Sequence, residues 1–223
     1  MSIIVKILNI ENSTYNVLHI TAEKPEGINY VPGQAVDVAI NKEGWQNEVR
    51  PFTFTSLPQE NTIQFTIKTY TDHNGVTNEL RTLKPGDSLL IGDVFGDIHY
   101  KKDGVFIAGG AGITPFISIF RSLEKQGKIG NNKLIFANKS KADIINYDYF
   151  LKILGNNFIN VLSDENIEGY EHGYITEELI KKIATAGSEY FYLCGPPPMM
   201  SAIEKQLKNI NVQSERIVKE DFA

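Results

Sequence analysis

The sequence predicts a two-domain protein, with a small antiparallel β-barrel over residues 1–100 and a doubly wound α/β domain over residues 101–223. In the first part, short strand-like segments follow one another with turn residues between them, which is typical of a barrel. From Gly104 onward, apolar strands alternate with helical segments, which is typical of a parallel sheet covered by helices. The chain of 223 residues is long enough for both domains.

The strands of the predicted barrel are short and separated by turn-forming residues. The clearest covers residues 62–70, where Ile63, Phe65 and Ile67 alternate with polar side chains, as in a strand with one buried face. The polar run at residues 11–14 predicts a turn between the first two strands. The predicted barrel strands are residues 3–10, 15–21, 35–40, 51–56, 62–70 and 88–94.

The second half of the chain predicts a helix directly after its first strand. Apolar residues recur there with the spacing of one helix face, and we expect Thr114 to be the N-cap, Pro115 the first helical residue and Gly127 the end. Thr176 is expected to cap a later helix. The predicted strands are residues 105–108, 133–137, 157–162, 190–194 and 215–218, and the other predicted helices are residues 142–154, 176–183 and 197–207.

Composition excludes several classes of function. The formal net charge is −5, which does not favour a nucleic-acid partner. Cys194 is the only cysteine, so an intrachain disulfide is excluded and a cysteine-ligated zinc or iron–sulfur centre is disfavoured. The four histidines lack ligand spacing, and we expect no metal site. No stretch approaches membrane-spanning length and no signal-peptide pattern is present, so we expect a cytoplasmic protein with no membrane partner.

The glycine-rich turn at residues 109–115 lies between a predicted strand and a predicted helix. Gly110 and Gly112 allow the backbone to approach a ligand closely, and the start of the helix offers N–H groups to an anion. The turn therefore predicts a nucleotide pyrophosphate site. Pro115 stands where the usual dinucleotide fingerprint has its last glycine, and no P-loop lysine follows. A turn that only packs a strand against a helix is the alternative.

A second turn, Cys194-Gly195-Pro196, follows the predicted strand at residues 190–194. Ligands of doubly wound sheets bind beyond the carboxyl ends of the strands, so both turns are expected to face one nucleotide. The alternative for Cys194 is a small buried apolar residue.

In the barrel, Arg50-Pro51-Phe52-Thr53 combines a cation, a flat aromatic ring and a hydroxyl. Because strand residues alternate between faces, Arg50 and Phe52 share one face, while Pro51 and Thr53 share the other. An arginine holds a diphosphate with two hydrogen bonds, a phenyl ring lies against a flat ligand, and a hydroxyl bonds a ring heteroatom. The alternative is a surface arginine beside a core phenylalanine.

A third group of candidates follows on the strand at residues 62–70. Lys68 is a second cation for a phosphate, and Thr66 lies on the same face of the strand. Gly75 is expected to free the turn after the strand, and Thr77 to begin a helix whose N–H groups take an anion. Asn74-Gly75 is also an ordinary turn pair.

These motifs occur in the order and spacing of the ferredoxin–NADP reductase family, which the chain resembles from end to end. Residues 50–53 resemble its Arg-x-Tyr-Ser flavin motif, with Phe and Thr in place of Tyr and Ser. Residues 75–77 resemble its diphosphate turn, and the turns at residues 109–115 and 194–197 resemble its two pyridine-nucleotide motifs. The segment 92–96 departs from the family's Gly-Pro-x-Gly.

The resemblance implies a six-stranded FAD-binding barrel followed by an NAD(P)-binding domain. Arg50 and Lys68 would neutralise the FAD diphosphate, assisted by the backbone of Val76 and Thr77. The remaining flavin-side roles, by resemblance, are stacking on the isoalloxazine by Phe52 and a hydrogen bond near its N5 from Thr53.

On the nucleotide side, the resemblance places Thr114 between the flavin and the nicotinamide. Gly110, Gly112 and Pro115 would frame the NAD(P) pyrophosphate, and Cys194 would lie near the reacting carbons. Phe222 would cover the flavin face that the nicotinamide must reach; the alternative is an aromatic residue that docks the chain end. The residues assigned to catalysis are therefore Thr53, Cys194 and Phe222.

The implied reaction is hydride transfer from NAD(P)H to flavin N5, followed by release of single electrons to a separate carrier, with flavodoxin or ferredoxin expected by resemblance. Asn138 and Lys139 follow the second strand of the α/β domain, and this basic loop favours NADPH over NADH; a solvated loop is the alternative. Two other functions stay open: the reductase subunit of a multicomponent oxygenase, and a non-catalytic nucleotide-binding module. A monomer or weak dimer is expected.

Overall fold

The computed structural model describes residues 2–184 and 189–220, and within them the chain forms two six-stranded sheets. The first sheet is antiparallel and barrel-like, with the strand order β4-β3-β6-β1-β2-β5. The predicted fold class is therefore confirmed for this half of the chain. Its strands are β1 (Ile3–Thr14), β2 (Val17–Glu23), β3 (Ala35–Ile40), β4 (Arg50–Thr53), β5 (Thr62–Lys68) and β6 (Ser88–Phe95).

The barrel does not close completely between its two end strands. Within the described residues, one bridge, Phe54–Phe65, and the hydrogen bond from Thr55 N to Gln64 O (2.8 Å) join the ends of β4 and β5. Beyond these contacts the two strands are not paired with each other. The edge of β4 that faces β5 is therefore unpaired along the strand itself, from Arg50 to Thr53.

The single turn of helix α1 (Val76–Glu79) closes one end of the barrel, because Val76 and Leu80 are buried in the barrel core. This helix begins at Val76, so the prediction that Thr77 begins it was wrong by one residue. Gly75 precedes it with extended backbone (φ −106°), and the turn does not use the freedom of a glycine there.

The predicted turn at residues 11–14 was wrong. β1 continues to Thr14, which pairs with Val17, and the hairpin turns at Tyr15 and Asn16 instead. The polar residues that predicted a turn lie along β1 opposite the buried strand β2, so pairing with β2 overrides their local preference.

The second sheet is parallel, with the strand order β10-β9-β8-β7-β11-β12. The order reverses between β7 and β11, which defines the switch point where ligands of such sheets bind. The two-residue strand β10 was not predicted. The strands are β7 (Gly104–Gly109), β8 (Lys133–Asn138), β9 (Phe158–Leu162), β10 (Glu171–His172), β11 (Tyr190–Cys194) and β12 (Ile217–Val218).

Helices cover both faces of this sheet, as the doubly wound prediction required. β7 is buried along its whole length, because α2 packs on one face and α5 on the other. The predicted helix at residues 142–154 begins only at Tyr147, since Lys141–Asp143 form a separate 3₁₀ turn. The helices are α2 (Thr114–Lys125), α3 (Tyr147–Leu154), α4 (Glu177–Ile183) and α5 (Pro197–Asn209).

Two predicted helix ends were confirmed, but the predicted start of α2 was wrong, because the helix begins at Thr114 and Pro115 is its second residue. Thr176 caps α4 by accepting a hydrogen bond from Leu179 N (3.1 Å), and Gly127 follows α2 with φ +66°. Thr114 is not an N-cap: it already has helical backbone angles, and its hydroxyl donates to Ala111 O (3.1 Å). The reason is that a 3₁₀ turn runs without interruption from Gly110 into α2.

The two domains meet along α2. Ser118 Oγ accepts a hydrogen bond from Gly33 N of the barrel (2.9 Å). Arg121, about one turn further along α2, donates to Thr55 O (2.6 Å) and pairs with Glu60 (2.6 Å). The middle of α2 therefore lies at the seam, where Arg121 contacts a residue shortly after β4.

Candidate functional site

The glycine turn after β7 has the shape that a nucleotide requires. Gly110 has φ +52°, and a β-carbon there would meet no atom within 4 Å, so the turn is open to a ligand. Gly112 is closely packed: a β-carbon there would lie 2.2 Å from Cys194 O. Gly110 leaves space in front of the turn, whereas Gly112 lets the two strand ends approach each other. Pro115 is buried at the start of α2.

The second predicted turn lies directly beside the first. β11 pairs with β7 in parallel, with Cys194 next to Ala108, so both turns leave the sheet at the switch point. Gly195 also approaches the neighbouring turn, though less closely, because a β-carbon there would lie 3.2 Å from Gly109 N. Pro196 is exposed and precedes α5. The structure therefore brings together the two turns that the sequence placed at one site.

Cys194 carries a neutral thiol at this edge. Burial and, second, the nearby Glu220 carboxylate raise the pKa of the Cys194 thiol to about 12. A thiol with this pKa is protonated at neutral pH, which excludes a thiolate nucleophile in this structure. Any contribution of Cys194 to catalysis must then come from the packing of its side chain against the reactants.

Sequence reasoning missed Glu220, which the structure places next to Cys194. Its carboxylate accepts hydrogen bonds from Asp97 N and Ile98 N at 3.1–3.3 Å, and so ties the C-terminal segment to the connection between the two domains. No local pattern marks this residue, since its partners lie more than 120 residues away in the chain. Phe222 lies outside the described residues.

The end of β8 contributes a buried amide to the same sheet edge. Asn138 is 8% exposed, and neither its amide nitrogen nor its amide oxygen has a hydrogen-bond partner among the described residues. The preceding residue, Ala137, pairs with Gly109. Since buried polar groups are nearly always hydrogen-bonded, this amide fits a polar ligand at the sheet edge. Lys139, the next residue, is exposed.

The register of β4 confirms the predicted faces of the flavin motif. Phe52 pairs with Val36 and lies on the core side, half-buried, with its ring centroid 6.4 Å from that of Phe65. Thr53 pairs with Ala35 on the outer side. Because the two side chains lie on opposite faces, a flat ring can contact both only at the free edge of β4, which the incomplete barrel provides.

Arg50 lies at the other end of β4, on the side of the barrel that α1 closes. Arg50 pairs with Val38 of β3. Shortly after β3 the chain reaches Lys42, whose ammonium group forms an ion pair with Glu79 of α1 (3.4 Å). The Arg50 side chain is about half exposed, and Glu48 is 3.4 Å from its guanidinium. An exposed ion pair of this kind contributes at most about 1 kcal/mol, so a diphosphate can replace Glu48. Pro51 is exposed beside it.

Lys68 and Thr66 face the α/β domain instead. Lys68 Nζ lies 3.3 Å from the carboxylate of Asp143, a residue between β8 and α3. Thr66 is buried, and its hydroxyl donates to Thr55 Oγ1 (3.3 Å). Thr66 also lines a polar interdomain cavity of about 380 Å³, shared with His19 and Tyr149. In this structure Lys68 is therefore paired with the α/β domain, whereas Arg50 is paired with Glu48 of the barrel.

Other kinds of site find no support in the described residues. Over residues 2–184 and 189–220, no three histidine, cysteine or acidic side chains are grouped so that they could hold a metal ion. In the same part of the chain, none of the helices has the length and hydropathy needed to cross a membrane.

Comparison with known families agrees with this geometry. The model of an FAD-binding domain matches residues 2–88, and the model of an oxidoreductase NAD-binding domain matches residues 106–205. Together the two models match most of the chain. The chain therefore combines an FAD-binding domain with an oxidoreductase NAD-binding domain, in the fold of the ferredoxin–NADP reductase family. The predicted cofactors FAD and NAD(P)H are confirmed.

The fold is also found in a known structure of this family. A crystal structure of a ferredoxin NADP+ reductase from Neisseria gonorrhoeae with bound FAD and NADP has a TM-score of 0.83 to this chain, with 20% identity and 98% of each chain covered. At this identity the likeness shows the fold alone.

Curated relatives are longer than this chain. The toluate 1,2-dioxygenase electron transfer component of Pseudomonas putida is 24% identical over 203 residues, covering 87% of this chain and 59% of that protein. A component of the Na(+)-translocating NADH-quinone reductase of Haemophilus influenzae is 31% identical over 156 residues, covering 63% of this chain and 38% of that protein. The chain therefore spans less than two thirds of the length of either relative.

Proposed function

We propose that this protein takes hydride from NAD(P)H onto FAD at the seam between its domains and passes single electrons to a separate carrier. The observation that carries the proposal is the position of α2, which begins at the glycine turn and contacts the barrel through Ser118 and Arg121. The open turn at Gly110 leads into Thr114, and further along the same helix Arg121 bonds Thr55, two residues after Thr53. The nucleotide turn and the free edge of β4 therefore share the seam.

The residues of the barrel fit FAD. Arg50 offers an exchangeable cation at one end of β4, and Phe52 and Thr53 flank the free edge near the other end. Arg50 and Thr53 are three positions apart along the strand, which is about 10 Å, long enough for a diphosphate and a flavin ring to bind at different points. Val76 and Thr77 would contribute backbone groups, because the Val76 side chain is buried in the core.

The edge of the parallel sheet fits a dinucleotide. Gly110 leaves open space, Gly112 keeps the turn close to Cys194, and the buried Asn138 amide has unused hydrogen-bonding capacity. Thr114 and Pro115 begin the helix behind this space, and Gly195 and Pro196 border it on the other side.

Bound FAD supplies the hydride acceptor and the capacity to release electrons one at a time. The protein's own residues bind and orient the reactants and keep water out of the seam. Cys194, as a neutral thiol, fits a role in packing against the reactants. Thr53 would orient the ring by a hydrogen bond. Phe222 would cover the ring, and its displacement would admit the nicotinamide.

The experiment is direct. Purified protein is expected to be yellow or to become yellow with added FAD, and NADPH is expected to bleach it in the absence of oxygen. A protein that cannot be loaded with FAD would overturn the proposal. A protein that binds FAD but is reduced too slowly for turnover would favour the non-catalytic nucleotide-binding module instead.

We infer a preference for NADPH over NADH from the exposed Lys139 beside the unpartnered Asn138 amide. The other polar side chains of this loop have partners: Ser140 Oγ donates to Asp143 (2.7 Å), and Lys141 Nζ lies 6.0 Å and 5.7 Å from the ring centroids of Tyr147 and Tyr170. Lys139 then carries the preference, and Lys139→Ala is expected to raise KM for NADPH more than KM for NADH. A lower KM for NADH in the unchanged protein would overturn the inference.

The acceptor is proposed to be flavodoxin, ferredoxin or another one-electron carrier protein. The alternative, a component of an oxygenase, is favoured by the similarity to a dioxygenase electron transfer component. Anaerobic mixing of the reduced protein with purified carriers of each kind separates the two. We further propose a cytoplasmic location, a monomer or weak dimer, and a domain boundary near residue 100.

A further inference from the structure

The carboxylate of Asp143 occupies an unusual position at the domain seam. It belongs to the α/β domain, in the 3₁₀ turn before α3, and only 5% of the residue is exposed. Within its own domain it accepts hydrogen bonds from Ser140 N (3.1 Å) and Ser140 Oγ (2.7 Å). The first of these bonds, together with a bond from Asp143 N to the Ser140 side chain, forms a capping box.

The other two donors to this carboxylate come from the barrel. Tyr15 OH donates to Oδ1 at 2.7 Å, and Lys68 Nζ lies 3.3 Å from the same oxygen. Tyr15 is 128 residues away in the chain and Lys68 is 75 residues away. A carboxylate that binds a cation and hydroxyl groups while buried is held strongly in place, since moving it leaves an uncompensated charge.

The two barrel donors belong to one rigid unit. Val17, at the start of β2, pairs with Lys68, and Thr69 N donates to Asn16 O (2.7 Å) in the hairpin turn that carries Tyr15. Asp143 therefore binds both the hairpin turn and the end of β5.

The contact of Asp143 with Tyr15 and Lys68 affects both halves of the proposed site. On the nucleotide side, the capping box of Ser140 and Asp143 follows directly after Asn138 and Lys139. On the flavin side, Lys68 ends β5, the strand across the gap from β4. A movement at Asp143 would change the position of the nucleotide loop relative to the barrel.

We propose that Asp143 is a positioning residue for hydride transfer, which fixes the loop of residues 138–141 against the barrel through Tyr15 and Lys68. The inference rests on the proposed function, because it concerns the alignment of the two reactants. It also assigns the Lys68 charge to the domain seam, in place of the FAD diphosphate that sequence analysis predicted for it.

The test compares three variants that each weaken the contact between Asp143 and the barrel: Asp143→Asn, Tyr15→Phe and Lys68→Gln. At saturating nucleotide, each is expected to slow single-turnover flavin reduction about tenfold, because small misplacements of reactants are costly. KM for the nucleotide and the dissociation constant for FAD are expected to stay within about twofold, since neither binding surface changes. The double variant Tyr15→Phe/Asp143→Asn is expected to be no slower than Asp143→Asn, because both act through one contact.

Matched controls are available on the surface. Asp148→Asn removes an exposed carboxylate from α3, and Tyr174→Phe removes a hydroxyl from a side chain that is 83% exposed. Both are expected to reduce flavin at the rate of the unchanged protein. An equal slowing in these controls would overturn the proposal.

A second measurement does not depend on the loaded enzyme. Hydrogen exchange of the apoprotein is expected to accelerate at the amides of Thr69 and Ser140 in Asp143→Asn, since their neighbourhoods lose a shared anchor. If Asp143→Asn does not fold, Tyr15→Phe and Lys68→Gln still give the comparison.

Two results would contradict the inference. Unchanged flavin reduction in all folded variants would remove the positioning role. Weakened FAD binding in Lys68→Gln without a matching effect in Asp143→Asn would return Lys68 to the diphosphate. Failure of the unchanged protein to bind FAD or to be reduced would instead contradict the proposed function, so the two failures are distinguishable.

Discussion

The nucleotide turn and the flavin-side strand edge are built on different principles. At the turn, Gly110 and Gly112 fix the shape through the backbone alone: one leaves open space and the other permits contact with Cys194 O. At the strand edge, Arg50, Phe52 and Thr53 act through side chains whose partners come from elsewhere in the chain. The turn is therefore fixed locally, whereas the strand edge depends on the tertiary structure.

This difference explains which substitutions should be severe. A change that places atoms into the packed backbone of the turn cannot be relieved by rotating a side chain. A change at the strand edge removes one contact and leaves the backbone intact. We expect the effects to decrease in that order.

The largest effect is expected for Gly112→Ala. Its β-carbon would lie 2.2 Å from Cys194 O, so the two strand ends must separate, at a cost of about 3 kcal/mol or more in the free energy of unfolding. Gly110→Ala meets open space and costs about 1 kcal/mol for its positive φ, but its methyl group enters the space of the nucleotide. Urea unfolding and KM for NADPH measure the two contributions separately. Equal stability of the two variants would contradict the comparison.

The next largest effect is expected for Arg50→Ala. Loss of a charge-assisted contact to the diphosphate is worth about 1.5–3 kcal/mol, which corresponds to roughly a 10- to 150-fold weaker affinity for FAD. Arg81→Ala removes an exposed arginine that follows α1 and is the matched control. Calorimetric titration of the apoproteins with FAD provides the measurement. An Arg50 variant that binds FAD as tightly as the control would remove the strand-edge half of the site.

A smaller effect, on the free energy of unfolding, is expected when the pH is lowered. Burial alone would raise the pKa of Asp143, but hydrogen bonds from Tyr15 and Ser140 and the Lys68 charge outweigh it and lower the pKa to about 2. The stability gained from this depressed pKa is complete above the unfolded value of 3.8 and is lost as the pH falls from about 4 to about 2. The amount is about 2 kcal/mol.

Comparison of Asp143→Asn with the unchanged protein checks this expectation. The difference in unfolding free energy is expected to shrink as the pH is lowered over that range. A difference that does not vary with pH would show that the carboxylate charge contributes nothing at the seam.

The smallest effect is expected for the chemical reactivity of the Cys194 thiol. Because burial raises the pKa of its thiol to about 12, alkylation by iodoacetamide at pH 8 is expected to be slow in the folded protein and fast in urea. Cys194→Ala is the control for labelling elsewhere. Rapid labelling of the folded protein would mean that the switch point holds a reactive thiolate.

The sequence predicted the parts of the structure that local physics determines. β11 has the predicted bounds, residues 190–194, because a short continuous apolar run between turn residues favours a buried strand. The two turns that follow β7 and β11 lie where they were predicted, since glycine and proline are strong local signals of a turn. The parallel order and the switch point followed from the alternation of strands and helices.

The parts that were missed depend on distant partners. Lys68 was assigned to a phosphate, but its neighbour Asp143 lies 75 residues away, and no spacing rule connects them. The hairpin turn was placed too early because the polar residues of β1 pair with a buried strand. Glu220 was overlooked because its partners, the amides of residues 97 and 98, become close only when the chain end returns to the barrel.

The most direct test of the central claim is anaerobic single-turnover reduction of the FAD-loaded protein by NADPH carrying deuterium at the transferred position. If the two half-sites meet at the seam, flavin absorbance is lost in one fast phase, and deuterium slows that phase by a primary isotope effect. Reduction that is slow and insensitive to deuterium would contradict the account, because the nicotinamide and the flavin would then not be in contact.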